Sequence, residues 1–233
     1  MAKVHPNSVP AIAHRSGCAA AASPPPTVLT VWRKSLLFNC DGFTVFDAKG
    51  DLAFRVDCYG SPGRRRRRAE VVLMDVAGKP LLTVRRKRIL GVADHWLIYD
   101  GDDDKRPPML SVRRHVSLRS SSSGGGKKAL AHVAPVGSST SVEVEASSSY
   151  VVEGSYGQRA CCVRDAGNGD AVAEVRRKES LSVAGDVFRL VVADPRRMAA
   201  PLAMGLVIAL DEMFSSSSSS GSARSLLRRT WSA

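Results

Sequence analysis

One pattern recurs four times and constrains the fold more than any other feature. Phe43-Thr-Val-Phe-Asp47 leads through Lys49-Gly50 into Leu52-Ala-Phe-Arg-Val56. Val71-Val-Leu-Met-Asp75 leads through Gly78 into Leu81-Leu-Thr-Val-Arg85, and Trp96-Leu-Ile-Tyr-Asp100 through Gly101 into Met109-Leu-Ser-Val-Arg113. Cys161-Cys-Val-Arg-Asp165 leads through Gly167 into Ala171-Val-Ala-Glu-Val175. Each unit is an apolar run, an Asp, a Gly-containing turn and a second apolar run. Asp hydrogen-bonds its own backbone at a turn and Gly supplies positive φ, so each unit spells a β-hairpin. Further strands are expected at Val28–Lys34, Tyr150–Gly154 and Asp186–Ala193, for a total of roughly ten to twelve. Connections this short leave no room for crossover helices, which excludes parallel βαβ architecture.

One segment breaks the β pattern. Met198 to Leu210 reads MAAPLAMGLVIAL, a continuous apolar run of 13 residues. Pro201 suits a first helical turn. Leu202, Leu206, Ala209 and Met213 fall on one helical face, and Val207, Ile208 and Leu210 cover the others. A helix apolar all round must be buried. A membrane span needs about 20 such residues, so a core helix is expected, with Leu202, Leu206, Ile208 and Leu210 among its packed positions. A dozen antiparallel strands and one apolar helix are most economically arranged as a closed barrel around that helix, since closure removes exposed sheet edges. The expected fold is all-β with one helix.

Residues 1–26 end in Ser23-Pro24-Pro25-Pro26, lack apolar periodicity and read as a disordered leader. Residues 27–214 read as the barrel domain, interrupted by a flexible Ser/Gly loop near 119–128. The six serines at 215–220 open a disordered basic tail, 215–233, with Arg224, Arg228, Arg229 and Trp231. The serines and Arg229-Thr-Trp-Ser232 are phosphorylation candidates, and phosphate there would offset the tail's positive charge.

The five cysteines, at 18, 40, 58, 161 and 162, are odd in number and form no CxxC. Reduced thiols in a cytoplasmic or nuclear protein are expected, with no zinc set. Cys161 and Cys162 face opposite sides of a strand, so one of them should be buried and inert. The longest apolar run near the start, Cys18 to Ala22, is too short for a signal peptide. Residues 1–40 contain no Asp or Glu, but Arg is too sparse for a transit peptide.

With 34 Lys and Arg against 22 Asp and Glu, the formal charge is +12. That favours anionic partners: nucleic acid, phosphoinositide headgroups or acidic proteins. The densest run is Arg64, Arg65, Arg66, Arg67 and Arg68, between the first two hairpins. Three strand ends repeat a smaller cluster: Arg85, Arg86 and Lys87; Arg113 and Arg114; Arg176, Arg177 and Lys178. If Val84 and Val112 point into the barrel, Arg86 and Arg114 do so too. An interior Arg is costly unless paired, so these side chains belong at a rim, beyond the last core layer. They then either form a basic surface or pair with carboxylates such as Asp75, Asp100 and Glu174.

No GxSxG, HExxH or Walker A sequence occurs, and Gly101-Asp-Asp-Asp104 lacks the spacing of a calcium loop. No catalytic residue, metal or cofactor is expected. His95, His115 and His132 are scattered in sequence. No RNP motif, zinc finger or basic zipper is present, and Phe43, Phe46, Phe54, Trp96, Tyr99 and Phe188 read as core aromatics.

Several segments together resemble the plant LURP-one-related family. They are Leu29–Leu37, Asp41–Asp47, Arg55–Asp57, Glu70–Asp75, Gly78–Lys87, Val151–Tyr156, Asp186–Val192 and Ala203–Asp211. The resemblance covers about residues 27–214. It implies a tubby C-terminal-like fold, a twelve-stranded antiparallel barrel around a C-terminal helix, in a superfamily that includes phospholipid scramblases. It implies an association with plant defence and no settled enzymatic activity. Tubby proteins bind phosphoinositide headgroups through basic residues, so the resemblance implies a non-enzymatic module for anionic membrane lipid. The strand-end clusters, not a residue-by-residue match to tubby proteins, supply its candidate ligand residues: Arg85, Arg86, Lys87, Arg113, Arg114, Arg176, Arg177 and Lys178. Such a module would be a monomer with no transmembrane span, cytoplasmic or nuclear, or peripheral at the plasma membrane. A nuclear DNA-binding regulator and a protein-interaction scaffold are the alternatives.

Overall fold

The turn chemistry appears as the sequence spells it in the first two hairpins, while in the fourth the positive φ falls on Gly169 rather than Gly167. Asp47 Oδ1 accepts the backbone N–H groups of Lys49 (2.8 Å) and Asp51 (2.9 Å), and Gly50 takes φ +93°. Asp75 Oδ1 accepts the N–H of Lys79 at 2.8 Å, with Gly78 at φ +89°. Asp165 Oδ1 accepts that of Gly167 at 2.8 Å, with Gly169 at φ +75°. In each turn the carboxylate holds the chain reversal while the glycine adopts a conformation that a Cβ would strain.

A computed structural model describes residues 24–37, 41–58, 70–87, 94–103, 105–116, 128–136, 149–178 and 187–214. The five arginines 64–68, the leader up to residue 23, the Ser/Gly segment 117–127 and the tail from 215 lie outside them. Twelve strands precede one helix: β1 (Thr27–Trp32), β2 (Asp41–Phe46), β3 (Leu52–Cys58), β4 (Glu70–Met74), β5 (Pro80–Lys87), β6 (His95–Asp100), β7 (Leu110–Arg114), β8 (Ala129–Pro135), β9 (Tyr150–Ser155), β10 (Ala160–Asp165), β11 (Ala171–Arg177), β12 (Val187–Val192) and α1 (Ala200–Phe214). Neighbours in sequence pair antiparallel, and β12 pairs with β1 to close the barrel.

β8 escapes the sequence reading. Its segment Ala-Leu-Ala-His-Val-Ala-Pro is built of small side chains broken by His132, with only Ala131 and Val133 fully inside. The first strand ends at Trp32 rather than continuing through Lys34, because the chain bends at Arg33 and Lys34. The Lys34 carbonyl accepts the Thr44 hydroxyl at 2.7 Å instead of a ladder bond.

The alternation of each strand feeds one core. Leu29, Val31, Val45, Leu73, Val84, Trp96, Ile98, Val112, Val152, Val175, Phe188 and Leu190 point inward and are buried together with α1. Leu206, Ile208 and Leu210 are fully buried, as expected, whereas Leu202 is only half-buried at the helix's first turn, packed against the core from its edge. Gly205 brings the helix close to the wall, where an added Cβ would sit 3.2 Å from Leu82 Cδ1. Phe43, Trp96 and Phe188 are core residues, while Phe46, Phe54 and Tyr99 are half-buried.

A candidate anion-binding mouth of the barrel

Antiparallel closure sorts charge by direction. Odd-numbered strands all end at one mouth of the barrel, and the Asp–Gly turns all lie at the other. The helix starts after β12 at the turn mouth and, at 15 residues or about 22 Å, runs through to the opposite one. Its arrival there is marked by the Arg114 guanidinium, 5.0 Å over the Phe214 ring. The helix-end mouth therefore collects Arg33 and Lys34 after β1, the clusters ending β5, β7 and β11, and Arg159 between β9 and β10. The turn mouth collects Asp47, Asp75, Asp100, Asp165 and Asp170.

Inward-facing Arg86 and Arg114 follow the Val84 and Val112 register and meet one carboxylate. Arg86 Nη2 donates to Asp94 Oδ1 at 2.9 Å, and Arg114 Nη1 lies 3.7 Å from Asp94 Oδ2. Arg85 Nε donates to Glu70 Oε2 at 2.6 Å while its guanidinium lies 4.9 Å over the Tyr99 ring. Arg176 pairs with Glu174. Of the three carboxylates considered from sequence, only Glu174 pairs with one of these strand-end arginines. Asp100 holds Arg106 at 2.6 Å, and Asp75 holds its turn. Among the described residues Lys87, Arg113, Arg177 and Lys178 make no ion pair.

The register also assembles a row that the sequence does not show. Lys87 pairs with His95, His95 with Arg113, and Arg113 with His132, so four basic side chains cross β5 to β8 on the outer wall. His115 extends the row, its Nδ1 2.9 Å from His132 Nε2. His95 is buried, with Nε2 2.7 Å from Ser111 Oγ. Burial, then the nearby charges of Arg113 and Lys87, hold its imidazole below the ordinary pKa. Ser111 is buried as well, so this hydroxyl is not presented to a substrate. Asp94, His95 and His132 are the residues sequence reasoning missed, since only the pairing of β5 through β8 puts them beside the arginines.

The first two predicted clusters thus come together on adjacent strands β5 to β7. The third, Arg176–Lys178 at the end of β11, shares the same mouth but stands on another part of the wall, with β8, β9 and β10 between it and β7.

Beneath this mouth lies a buried polar knot. Asp211 Oδ2 accepts from Arg33 Nε at 3.1 Å, and Asp211 Oδ1 accepts from the Tyr156 hydroxyl at 3.2 Å. Arg159 Nη2 approaches the same Oδ1 at 3.9 Å. The Arg159 guanidinium is sandwiched between the Tyr156 and Phe188 rings, 4.4 Å from each centroid. Burial, and next the Asp211 charge, push the Tyr156 phenol well above its ordinary pKa. The knot ties β1, the β9–β10 turn, β12 and the helix together. Cys161 is in the core, its thiol pushed by burial up to about 12. Cys162 is buried too, against the expectation for a pair on opposite faces. On the outer wall it lies between Glu153 and Glu174, whose ion-paired side chains flank it.

A family model described as LURP-one-related matches residues 27–211. The chain belongs to the LURP-one-related family. Protein LURP-one-related 8 of Arabidopsis thaliana is 42% identical, over 93% of this chain and all of its own length. LURP-one-related 5 and LURP-one-related 17 of the same plant are 42% and 36% identical, over 80% and 81% of this chain and 82% and 84% of theirs. A crystal structure of an Arabidopsis thaliana protein shares the fold, with a TM-score of 0.50 at 20% identity, covering 84% of this chain and 93% of that one. In this LURP-one-related barrel, no group of three His, Cys, Asp or Glu among the described residues converges on a metal position. No described helix is long and apolar enough to cross a membrane.

Proposed function

We propose that this LURP-one-related protein is a non-enzymatic module that binds anionic phospholipid or phosphoinositide headgroups at the helix-end mouth. It would act as a peripheral, membrane-tethered regulator, in plant defence by the family analogy. The observation that carries the headgroup reading is the wall formed by β5 to β8. Lys87 and Arg113 flank His95 there without an ion pair of their own. Beside them, Arg85, Arg86 and Arg114 are held in place by Glu70 and Asp94. Lys87 and Arg113 offer a phosphate group charge that no carboxylate already neutralises, and the paired arginines beside them add to the positive character of the wall.

The test is co-sedimentation with vesicles carrying equal total charge as phosphatidylserine or as phosphatidylinositol bisphosphate, at two salt concentrations. Lys87→Ala/Arg113→Ala is compared with the native chain, because these two positions make no ion pair. Headgroup-selective binding lost in the variant is the expected outcome. Equal binding to every anionic surface, vanishing with salt and shared by DNA, would leave only a basic protein and overturn the reading.

A further inference from the structure

Polarity and burial are inverted in the bend after β1. Ser35 is 4% exposed, whereas Leu36 is 53% exposed, and Leu37 and Trp32 are each 37% exposed. The bend is firmly tied. Ser35 Oγ donates to Asp57 Oδ1 at 2.5 Å and accepts the Leu37 N–H at 3.0 Å, and the Lys34 carbonyl takes the Thr44 hydroxyl. The hydrogen bonds that bury the serine are those that hold the leucines outward. A loop free to relieve the exposure would fold the leucines in and the serine out.

This ledge lies at the basic mouth. Lys34 Nζ stands 5.4 Å from the Trp32 ring centroid, and Trp32 pairs across to β12, followed by β11 with its Arg177 and Lys178. Exposed Val116 lies at the same mouth, beyond β7. We infer that Trp32, Leu36 and Leu37 form an apolar wedge that enters the headgroup–acyl boundary of an anionic bilayer while the surrounding cations contact its phosphates. Trp favours that boundary, and apolar insertion combined with basic attraction gives the two signals that stable peripheral attachment requires. A bilayer fits this end better than an apolar protein groove, because the leucines stand among cations that seek an anionic surface.

This inference rests on the lipid reading above, and the experiment separates the two. Trp231→Phe removes the tail tryptophan, leaving exposed Trp32 and buried Trp96. Vesicles of phosphatidylcholine with phosphatidylserine, and of phosphatidylcholine with phosphatidylinositol bisphosphate, are prepared with brominated acyl chains. The expected result is quenching of Trp32 on binding, together with roughly tenfold or greater weakening of partitioning in Leu36→Ser/Leu37→Ser, whose melting is unchanged. Binding without quenching and unaffected by the serine variant would overturn the wedge and leave headgroup binding standing. No binding to any anionic vesicle would remove both. A native chain that sediments as a dimer without lipid, and a serine variant that sediments as a monomer, would reassign the ledge to a second copy of the chain and overturn the wedge.

Discussion

The two mouths of the barrel use charge in opposite ways. At the turn mouth, Asp47, Asp75 and Asp165 each accept amides of their own turn, and Asp165 also takes Arg197 from 32 residues on at 2.5 Å. At the helix-end mouth some partners are near in sequence, as Arg86 and Asp94 are, but Arg33 reaches Asp211 across 178 residues, and cations outnumber the carboxylates that face them. A carboxylate that accepts its own turn's amides has little left to offer a ligand. Long-range satisfaction makes a surface that exists only once the barrel has closed, with charge to spare.

The largest effect is expected where that closure is tied. Asp211→Ala leaves Arg33 and Arg159 without their shared carboxylate inside the knot and should cost about 3–5 kcal/mol, read by urea unfolding. A loss below ~1 kcal/mol would mean the knot is ornamental and the barrel is held by apolar packing alone. Asp94→Asn acts nearer the surface, on half-exposed Arg86 and Arg114. It should cost about 1.5–2 kcal/mol while strengthening binding to anionic vesicles, since two restrained cations are released. Weaker binding would show that Asp94 positions these arginines rather than competing for them. At the turn mouth, Asp75→Ala removes one side-chain bond to the Lys79 amide and should cost about 1 kcal/mol with vesicle binding unchanged.

The same contrast explains what the sequence discloses. Asp–Gly turns and alternating strands are local grammar, so the hairpins and the helix around Leu206 can be read directly. β8 cannot, because a strand of alanines around His132 carries little apolar signal. The strand-end arginines are visible as clusters, but whether they are free depends on Asp94 and Glu70. Those partners are assigned only by the pairing of β5 with β4 and β6. Burial of Asp211 is hidden for the same reason, since an acidic residue after an apolar run reads as a helix end facing water.

The smallest effect separates the mouths by pH. His95 has a folded pKa held below its ordinary value by burial, Arg113 and Lys87, with Ser111 on its Nε2. In the unfolded chain it binds a proton near pH 6.5, which the folded chain resists. Its contribution is therefore full above about pH 6.5 and falls as pH drops toward the folded value. Asp165 is held below its ordinary range by the Gly167 amide and then by Arg197. Its contribution is full above about pH 4 and is lost only on further acidification. Acid should thus weaken the helix-end mouth first, giving a shallow early decline in melting temperature and a separate later one. His95→Gln should flatten the early decline alone, and Arg197→Ala should reduce the later one alone. If the early decline survives His95→Gln, the proton is going elsewhere and the basic row does not set the acid response of this mouth.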